Sequence, residues 1–364
     1  MIERRTWRQF DWKLLLAVLA LCAIGVVFVH SATYGTEKNS EYLYKQLIWI
    51  LAGLTIWAMV LFPDYHMLAE WALVFYVFLL GVLVAVLIFG HTVHGSKSWF
   101  HFGLFSVQPS ELVKVAAIVV LARYFSDTRS LDQLTLQEIG IGALIVATPM
   151  LLILMQGDLG TTLTLLPVYA AMSFVSGLQR RHIVIALILF LVLAPLSWGL
   201  LKDYQKDRIR FFIHPEEEPY GSGYQALQAK IAIGSGQLYG KGLKQGSQSQ
   251  LGFIPYRHTD FIFAVIAEEK GLFGVLIVLL LYLILFYLIF DGIHTARDRL
   301  GILICTGVVA LLLIHVTLNI GMVIGLLPIT GLPLPLISSG GSSMLANFLA
   351  LGLVMNIKLR RYAN

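Results

Sequence analysis

The chain alternates long apolar runs with short polar breaks along its whole length. A run of about 20 apolar residues can cross roughly 30 Å of hydrocarbon as a helix. Dividing the runs at charged, glycine and proline positions predicts ten membrane helices, near 12–33, 45–62, 67–89, 109–125, 138–155, 158–176, 183–201, 260–290, 300–325 and 340–357. We therefore expect an all-α polytopic membrane protein, with residues 1–364 forming a single integral membrane domain.

The composition supports this class of protein. Hydrophobic residues make up 58% of the 364 residues and charged residues only 13%, whereas about a quarter of a soluble domain is charged. The two cysteines, Cys22 and Cys305, lie inside predicted spans, so a disulfide framework is not expected. The net charge of +5 comes from cations scattered over loops, which does not indicate nucleic-acid binding.

The distribution of cations predicts the orientation. An even number of helices puts both termini on one side, and most arginines and lysines fall in segments on that side. The short loops on the other side carry only Lys38, Lys45 and Lys97. By the positive-inside rule both termini are cytoplasmic. Residues 202–259 then form a large outer loop, whose cations we interpret as directed at a ligand because the rule weakens for loops this long.

The outer loop is rich in glycine and contains one short candidate helix, from Tyr224 to Ile233. Such a chain can either fold closely over a ligand or serve as a flexible linker. Its end, His258-Thr259-Asp260, puts polar groups at the start of the long apolar run near 260–290. A polar cluster at a membrane boundary indicates chemistry or transport there.

Ionisable groups within spans are costly unless they are paired or hydrated, so each one is a candidate for function. Glu111 and Lys114 are three residues apart and share a helix face, where they form either an internal salt bridge or part of a cavity that binds an anion. Asp158, in a tight turn between two spans, is either a helix cap or a contact to substrate or metal. Glu268 and Glu269 are interpreted as a helix anchor or as functional acids.

The stretch 325–343 contains too many prolines for a continuous helix. Non-helical backbone at membrane depth needs protein or a watery cavity to satisfy its polar groups. We therefore expect a broken or re-entrant segment beside a cavity. The hydroxyls from Ser338 to Ser343 would open the last helix there.

Taken together, these motifs resemble those of the SEDS family (shape, elongation, division and sporulation), and more its elongation members than its division members. They are spread over most of the chain. The matching segments are Gln108-Pro109-Ser110-Glu111 with Lys114, Asp158-Leu159-Gly160-Thr161, 221–236, His258-Thr259-Asp260-Phe261-Ile262-Phe263 with Glu268 and Glu269, and 319–343. The chain departs from the family pattern at Gly157, Tyr256 and Ser339, where proline, an acid and tyrosine are usual.

The resemblance implies a peptidoglycan glycosyltransferase of the bacterial inner membrane that polymerises lipid II, its donor and acceptor, during cell elongation. It implies that Asp260 is the catalytic carboxylate. The departing diphosphate would be stabilised by cations of the chain or by a divalent cation such as Mg²⁺ or Mn²⁺. No residue is assigned as a metal ligand, and no other cofactor is expected. The substrate-binding candidates are Lys114, Glu111, Asp158, Arg208, Arg210, His258, Thr259, Ser338 and Ser342.

The family also implies two kinds of partner, membrane lipid and a class B penicillin-binding protein whose transpeptidase crosslinks the strands. Two other functions fit the same polar residues. A transporter could use intramembrane acids and a broken helix to flip the lipid-linked precursor. A scaffold could recruit cell-wall enzymes without activity of its own, although Asp260 at the outer boundary favours the enzyme.

Overall fold

The computed structural model describes residues 10–36, 39–93, 96–102, 105–128, 133–182, 184–185, 188, 199, 203–214 and 221–361. The helices, numbered over these residues, are α1 Trp12–Thr33, α2 Asn39–Leu61, α3 Tyr65–Phe89, α4 Pro109–Asp127, α5 Leu136–Met155, α6 Leu159–Val175, α7 Asp203–Ile213, α8 Ser222–Gly236, α9 Ser247–Gln250, α10 Ile262–Thr295, α11 Arg299–Val323 and α12 Gly341–Leu359. Three strands, β1 His91–Val93, β2 Ser96–Phe102 and β3 Phe105–Val107, form an antiparallel sheet in the order β1-β2-β3.

The helical membrane fold is confirmed. Seven of the described helices are long and apolar enough to cross a membrane: α1, α2, α3, α5, α10, α11 and α12. Helix α6 is apolar but shorter, with 17 residues. Every predicted span except 183–201 corresponds to a helix, and 183–201 falls largely outside the described residues. The protein is a multi-pass membrane protein.

Three features of the fold differ from the predictions. Helix α2 begins at Asn39 rather than near 45, because an ion pair between Glu41 and Lys45 four residues apart supports a polar first turn. In the expected outer loop between α3 and α4, residues 91–93, 96–102 and 105–107 form the small sheet. The 202–259 segment contains α7 and α9 besides the expected helix, which itself extends to the whole of α8.

Local capping accounts for where several helices begin. Asp11, Asp64 and Asp298 each accept hydrogen bonds from backbone amides in the first turn of α1, α3 and α11. Helix α5 begins with a complete capping box between Thr135 and Glu138. These side chains satisfy amides that have no partner within the helix.

Helix α12 lies at the centre of the bundle. In its most apolar stretch 89% of the residues are buried, compared with 67% in α11 and 22% in both α2 and α5. It packs most extensively against α2, and also contacts α4 and α11. The buried centre is therefore built from α4, α11 and α12, while α2 and α5 turn mostly apolar surface toward lipid.

Helix α10 is interrupted at Gly271, which has φ 61° and ψ −158°. At this break the loop after α8 approaches the helix backbone. The amides of Leu272 and Phe273 donate to the carbonyls of Gln237 and Leu238, at 2.9 and 3.2 Å. The incoming loop thus satisfies amides that the interruption frees from the helix.

Two fully buried carboxylates fasten the same loop. Glu268 accepts hydrogen bonds from the Lys241 ammonium at 2.9 Å and the Ser249 backbone amide at 3.0 Å. Glu269 accepts a hydrogen bond of 2.7 Å from the Ser31 hydroxyl of α1. The two adjacent acids therefore connect α10 to the loop and to α1, and the loop leads directly to Asp260.

Candidate active site

A cavity of about 340 Å³ lies where α4, α6 and α12 begin and where the turn before α10 ends. Helix termini, the sheet and the non-helical stretch before α12 all contribute to its wall. The lining residues are Ser96, Trp99, Gln108, Glu111, Gly157, Asp158, Thr161, Gln225, Tyr256, Thr259, Asp260, Ile329, Thr330, Gly331, Leu332, Pro333, Ser339, Gly340, Ser342 and Ser343.

Asp260 is held by its backbone against the stretch before α12. The side-chain amide of Asn319 donates to the carbonyl of Asp260 at 2.8 Å and to that of Leu332 at 2.7 Å. Gly331, with φ +72°, lies next to the carboxylate, and a Cβ there would stand 3.7 Å from Asp260 Oδ2. Asn319 therefore fixes Asp260 relative to the opposite wall of the cavity.

The predicted broken segment is present, since residues 325–340 contain no helix. Ser338 satisfies part of this backbone: its hydroxyl donates to the Thr259 carbonyl at 2.5 Å and accepts from the Leu334 amide at 2.8 Å. The amide of Ser339 donates to the His258 carbonyl at 3.0 Å. These contacts join the turn before α10 to the stretch before α12, as non-helical backbone within a membrane protein requires.

Asp158 caps α6 and also faces the cavity. Its carboxylate accepts from the Thr161 amide at 3.0 Å and from the side-chain amide of Gln108 at 2.9 Å. The backbone amide of Gln108 in turn donates to the hydroxyl of Ser342 at 2.8 Å. Gln108 thus links the first turns of α4, α6 and α12 at the cavity wall.

Glu111 lines the cavity, and Lys114 lies behind it. The Lys114 ammonium contacts Glu111 Oε1 at 2.7 Å and His315 Nε2 at 2.9 Å, and it is fully buried. The internal salt bridge predicted from the sequence is therefore present. Glu111 faces the cavity, whereas Lys114 does not line it.

Three carboxylates line the cavity, those of Asp260, Glu111 and Asp158. No lysine, arginine or histidine occurs among its described lining residues. The N-termini of α4, α6 and α12 lie at the cavity wall, and the partial positive charge of helix N-termini partly offsets these carboxylates. Within the described ranges no three acidic, histidine or cysteine side chains cluster as metal ligands.

Of the other candidates, His258, Arg210 and Ser338 do not line this cavity. His258 faces a neighbouring pocket, where burial and the nearby charge of Arg257 lower its pKa to about 4. Arg210 is exposed on α7, and Arg208 lies in the same helix with a side chain outside the described part of the structure. Ser338 supports the wall rather than lining the cavity.

Sequence reasoning missed the roles of Gln108, Asn319 and Trp99. Gln108 and Asn319 stand at the edges of recognised motifs, but their contacts to Asp158 and Asp260 join residues 50 or more positions apart. Trp99 reaches the cavity from strand β2, which was not predicted.

Comparison with known proteins shows the family of the chain. A family model for FtsW, RodA and SpoVE, described as cell cycle protein, matches residues 12–363. Peptidoglycan glycosyltransferase MrdB of Escherichia coli K12 is 38% identical over 357 residues, covering 97% of this chain and 94% of the relative. Peptidoglycan glycosyltransferase RodA of Treponema pallidum is 33% identical, covering 97% of this chain and 98% of the relative.

Solved structures give the same result. A chain from a study of polymerization and crosslinking by a peptidoglycan synthase complex has a TM-score of 0.85 at 31% identity, covering 98% of this chain and 99% of that one. The crystal structure of the rod shape determining protein RodA of Thermus thermophilus has a TM-score of 0.74 at 29% identity, covering 98% of each chain. Together with the family model, these likenesses show that the chain belongs to the FtsW/RodA/SpoVE family.

Proposed function

We propose that the cavity beside Asp260 is the polymerisation site of this chain, a peptidoglycan glycosyltransferase like the relatives it matches. The observation that carries the proposal is the position of the Asp260 carboxylate. It lies in a cavity at the end of the bundle where four helices begin, and its backbone is fixed by Asn319. That end is the outer one if both termini are cytoplasmic, as the cation distribution favours, and cell-wall chemistry takes place there.

In the proposed reaction Asp260 acts as a general base toward lipid II. Its carboxylate accepts the proton of the acceptor's sugar 4-hydroxyl while that oxygen bonds to the donor's anomeric carbon. The bond from this carbon to the diphosphate breaks, and undecaprenyl diphosphate leaves with the electron pair. General base catalysis of this kind contributes about 10²–10⁴-fold to a rate.

The leaving diphosphate needs positive potential. The N-termini of α4, α6 and α12 lie at the cavity wall, and the partial positive charge of a helix N-terminus suits a phosphate. Glu111, Asp158, Thr259 and Ser342 are proposed to contact the sugars as hydrogen-bond partners. Lys114 acts behind the wall, because its charge offsets that of Glu111 so that fewer negative charges oppose the substrate.

Two arginines of α7 are also proposed to contact the substrate. Arg208 and Arg210, on α7, are proposed to meet the lipid diphosphate as it approaches, since a guanidinium pairs well with phosphate oxygens. His258 and Ser338 have supporting roles in this scheme, His258 in the adjacent pocket and Ser338 in holding the Thr259 carbonyl.

A class B penicillin-binding transpeptidase is the proposed protein partner. The matched peptidoglycan synthase complex, in which polymerization is coordinated with crosslinking, supports this assignment. The large apolar surfaces of α2, α3 and α5 give room both for lipid and for a partner's membrane helix.

The test is polymerisation of lipid II by purified protein with Asp260→Asn. We expect the rate of glycan synthesis to fall by at least about 10²-fold while the protein remains inserted and folded. Asp127→Asn is the matched control, because that carboxylate is 72% exposed at the other end of α4. Glycan of normal yield and length from Asp260→Asn would overturn the proposal, and lipid transfer across vesicles without polymer would favour the transporter.

A further inference from the structure

A second cavity, of about 410 Å³, opens beside the first. It is lined by Thr36, Tyr42, Gly252, Ile254, Pro255, Tyr256, Arg257 and His258. Tyr256 lines both cavities, and the next residues divide between them, with Arg257 and His258 in the second and Thr259 and Asp260 in the first. The two cavities are therefore adjacent along one short turn of the chain.

Arg257 gives this pocket its charge. Its Nε donates to the carbonyl of Ala32, while Nη1 extends toward Gly252, 3.7 Å from where a Cβ would stand on that glycine. No carboxylate of the described residues pairs with this half-buried guanidinium. A partly desolvated cation without a counter-ion is costly, and an anionic ligand would offset the cost.

The rest of the pocket adds no opposing charge. The ring of His258 packs on that of Tyr42, with centroids 4.3 Å apart and planes at 48°. A neutral imidazole and two phenol groups supply hydrogen-bond donors and acceptors together with apolar ring faces. This set suits a sugar-linked anion better than a bare inorganic ion.

The backbone at the boundary of the two cavities is strained. Tyr256 has φ 53°, in the left-handed region that a bulky side chain rarely adopts. Its carbonyl accepts from the Thr259 amide at 3.0 Å, which closes the turn and aims Arg257 and Asp260 into different cavities. Backbone strain of this kind is concentrated at binding and catalytic sites.

We propose that the pocket formed by Tyr42, Tyr256, Arg257 and His258 binds the phosphate or carboxylate group of one lipid-linked substrate while its sugar reaches Asp260. The inference rests on the proposed function. A transferase that joins two copies of one substrate needs two adjoining subsites. The pair of cavities that share Tyr256 supplies them.

The test compares Arg257→Gln with the wild type in lipid II polymerisation at increasing substrate concentration. We expect the KM for lipid II to rise by about tenfold or more, as loss of a charged contact implies, with a much smaller change in kcat. Arg257→Lys keeps the cation and should recover most of the affinity. Lys45→Gln is the control for charge, because Lys45 is paired with Glu41 and lies outside the pocket lining.

Two soluble probes identify the anion. Inorganic diphosphate and a carrier-free disaccharide-peptide are each used as competitive inhibitors of the wild type and of Arg257→Gln. Weaker inhibition of the variant by diphosphate alone assigns the pocket to the carrier phosphates, and weaker inhibition by the disaccharide-peptide alone assigns it to a substrate carboxylate. Weaker inhibition by both supports the pocket as a general oxyanion site.

Unchanged inhibition by both probes, with KM also unchanged, would overturn the inference. A merely structural role for Arg257 would lower thermal stability and kcat without altering either inhibition constant. The proposed function is judged separately: it falls if Asp260→Asn polymerises normally, whatever Arg257→Gln does. If Asp260 is essential and Arg257→Gln matches the wild type, only the second subsite is lost.

Discussion

Gly271 offers a sharp test of how the break in α10 supports the site. Its φ of 61° and ψ of −158° lie in a region that is essentially restricted to glycine. A Cβ at this position would stand 2.5 Å from the backbone nitrogen of Gly240 and 2.6 Å from the carbonyl carbon of Leu238. Gly271→Ala must therefore both strain the helix break and push the loop away.

The expected cost follows from these contacts. Backbone strain of this kind costs about 1–3 kcal/mol, and displacement of the loop weakens the hydrogen bonds from Leu272 and Phe273, each worth about 0.5–1.5 kcal/mol. We expect Gly271→Ala to lose about 2–6 kcal/mol of stability. Polymerisation should fall as well, because the displaced loop leads into the turn that carries Asp260.

The measurement is thermal unfolding in detergent together with lipid II polymerisation. Gly81→Ala is the matched control: it lies within α3, and no atom comes within 4 Å of the added Cβ. Alanine there should be neutral or should stabilise by about 0.5–1 kcal/mol. If Gly271→Ala and Gly81→Ala unfold at the same temperature, the close approach of the loop after α8 to α10 is not what maintains the break at Gly271.

Three further predictions concern side chains. Glu111→Gln should destabilise the protein by about 3–5 kcal/mol in thermal unfolding, because it leaves the buried Lys114 without its counter-charge. The double variant Glu111→Gln with Lys114→Met should lose less stability, and an equal loss of stability in the two variants would refute this. Asn319→Leu should lower kcat by about 10²-fold with little change in KM, because it removes the hydrogen bonds to the carbonyls of Asp260 and Leu332 at the cavity wall. A change confined to KM would contradict this prediction. Burial alone would raise the pKa of Asp11, but the hydrogen bond and ion pair with Lys358 outweigh burial, so the pKa of Asp11 is lowered in the folded protein. The ionised Asp11 therefore stabilises the fold above the unfolded pKa near 3.9, and this contribution is lost as the pH falls below that value. Asp11→Asn should therefore flatten the decline in melting temperature below about pH 4, and an unchanged acid profile would refute the assignment.

The membrane helices could be predicted because their lengths and apolar composition are properties of single segments. The break at 325–340 was predictable for the same reason, since its prolines cannot continue a helix. The interruption of α10 was not, because a glycine such as Gly271 is also tolerated within an unbroken helix. What identifies the break is the loop backbone that fills it, which comes from residues some 30 positions away in the chain.

The candidate site was predictable in part. Asp260, Glu111 and Asp158 stood out as acids within or beside predicted spans, and all three line one cavity. Lys114 was a candidate either for a salt bridge with Glu111 or for contact with an anion, and no local pattern indicated that His315 lies on its other side. Distant contacts of this kind depend on how the helices pack and not on any local pattern.

The position of Gln108 has a consequence for altering the enzyme. Its side-chain amide holds Asp158 of α6, whereas its backbone amide holds the hydroxyl of Ser342 on α12. A change of residue 108 releases only the first link, and a change of residue 342 releases only the second. The two links at the cavity wall can therefore be removed independently, each by a single substitution.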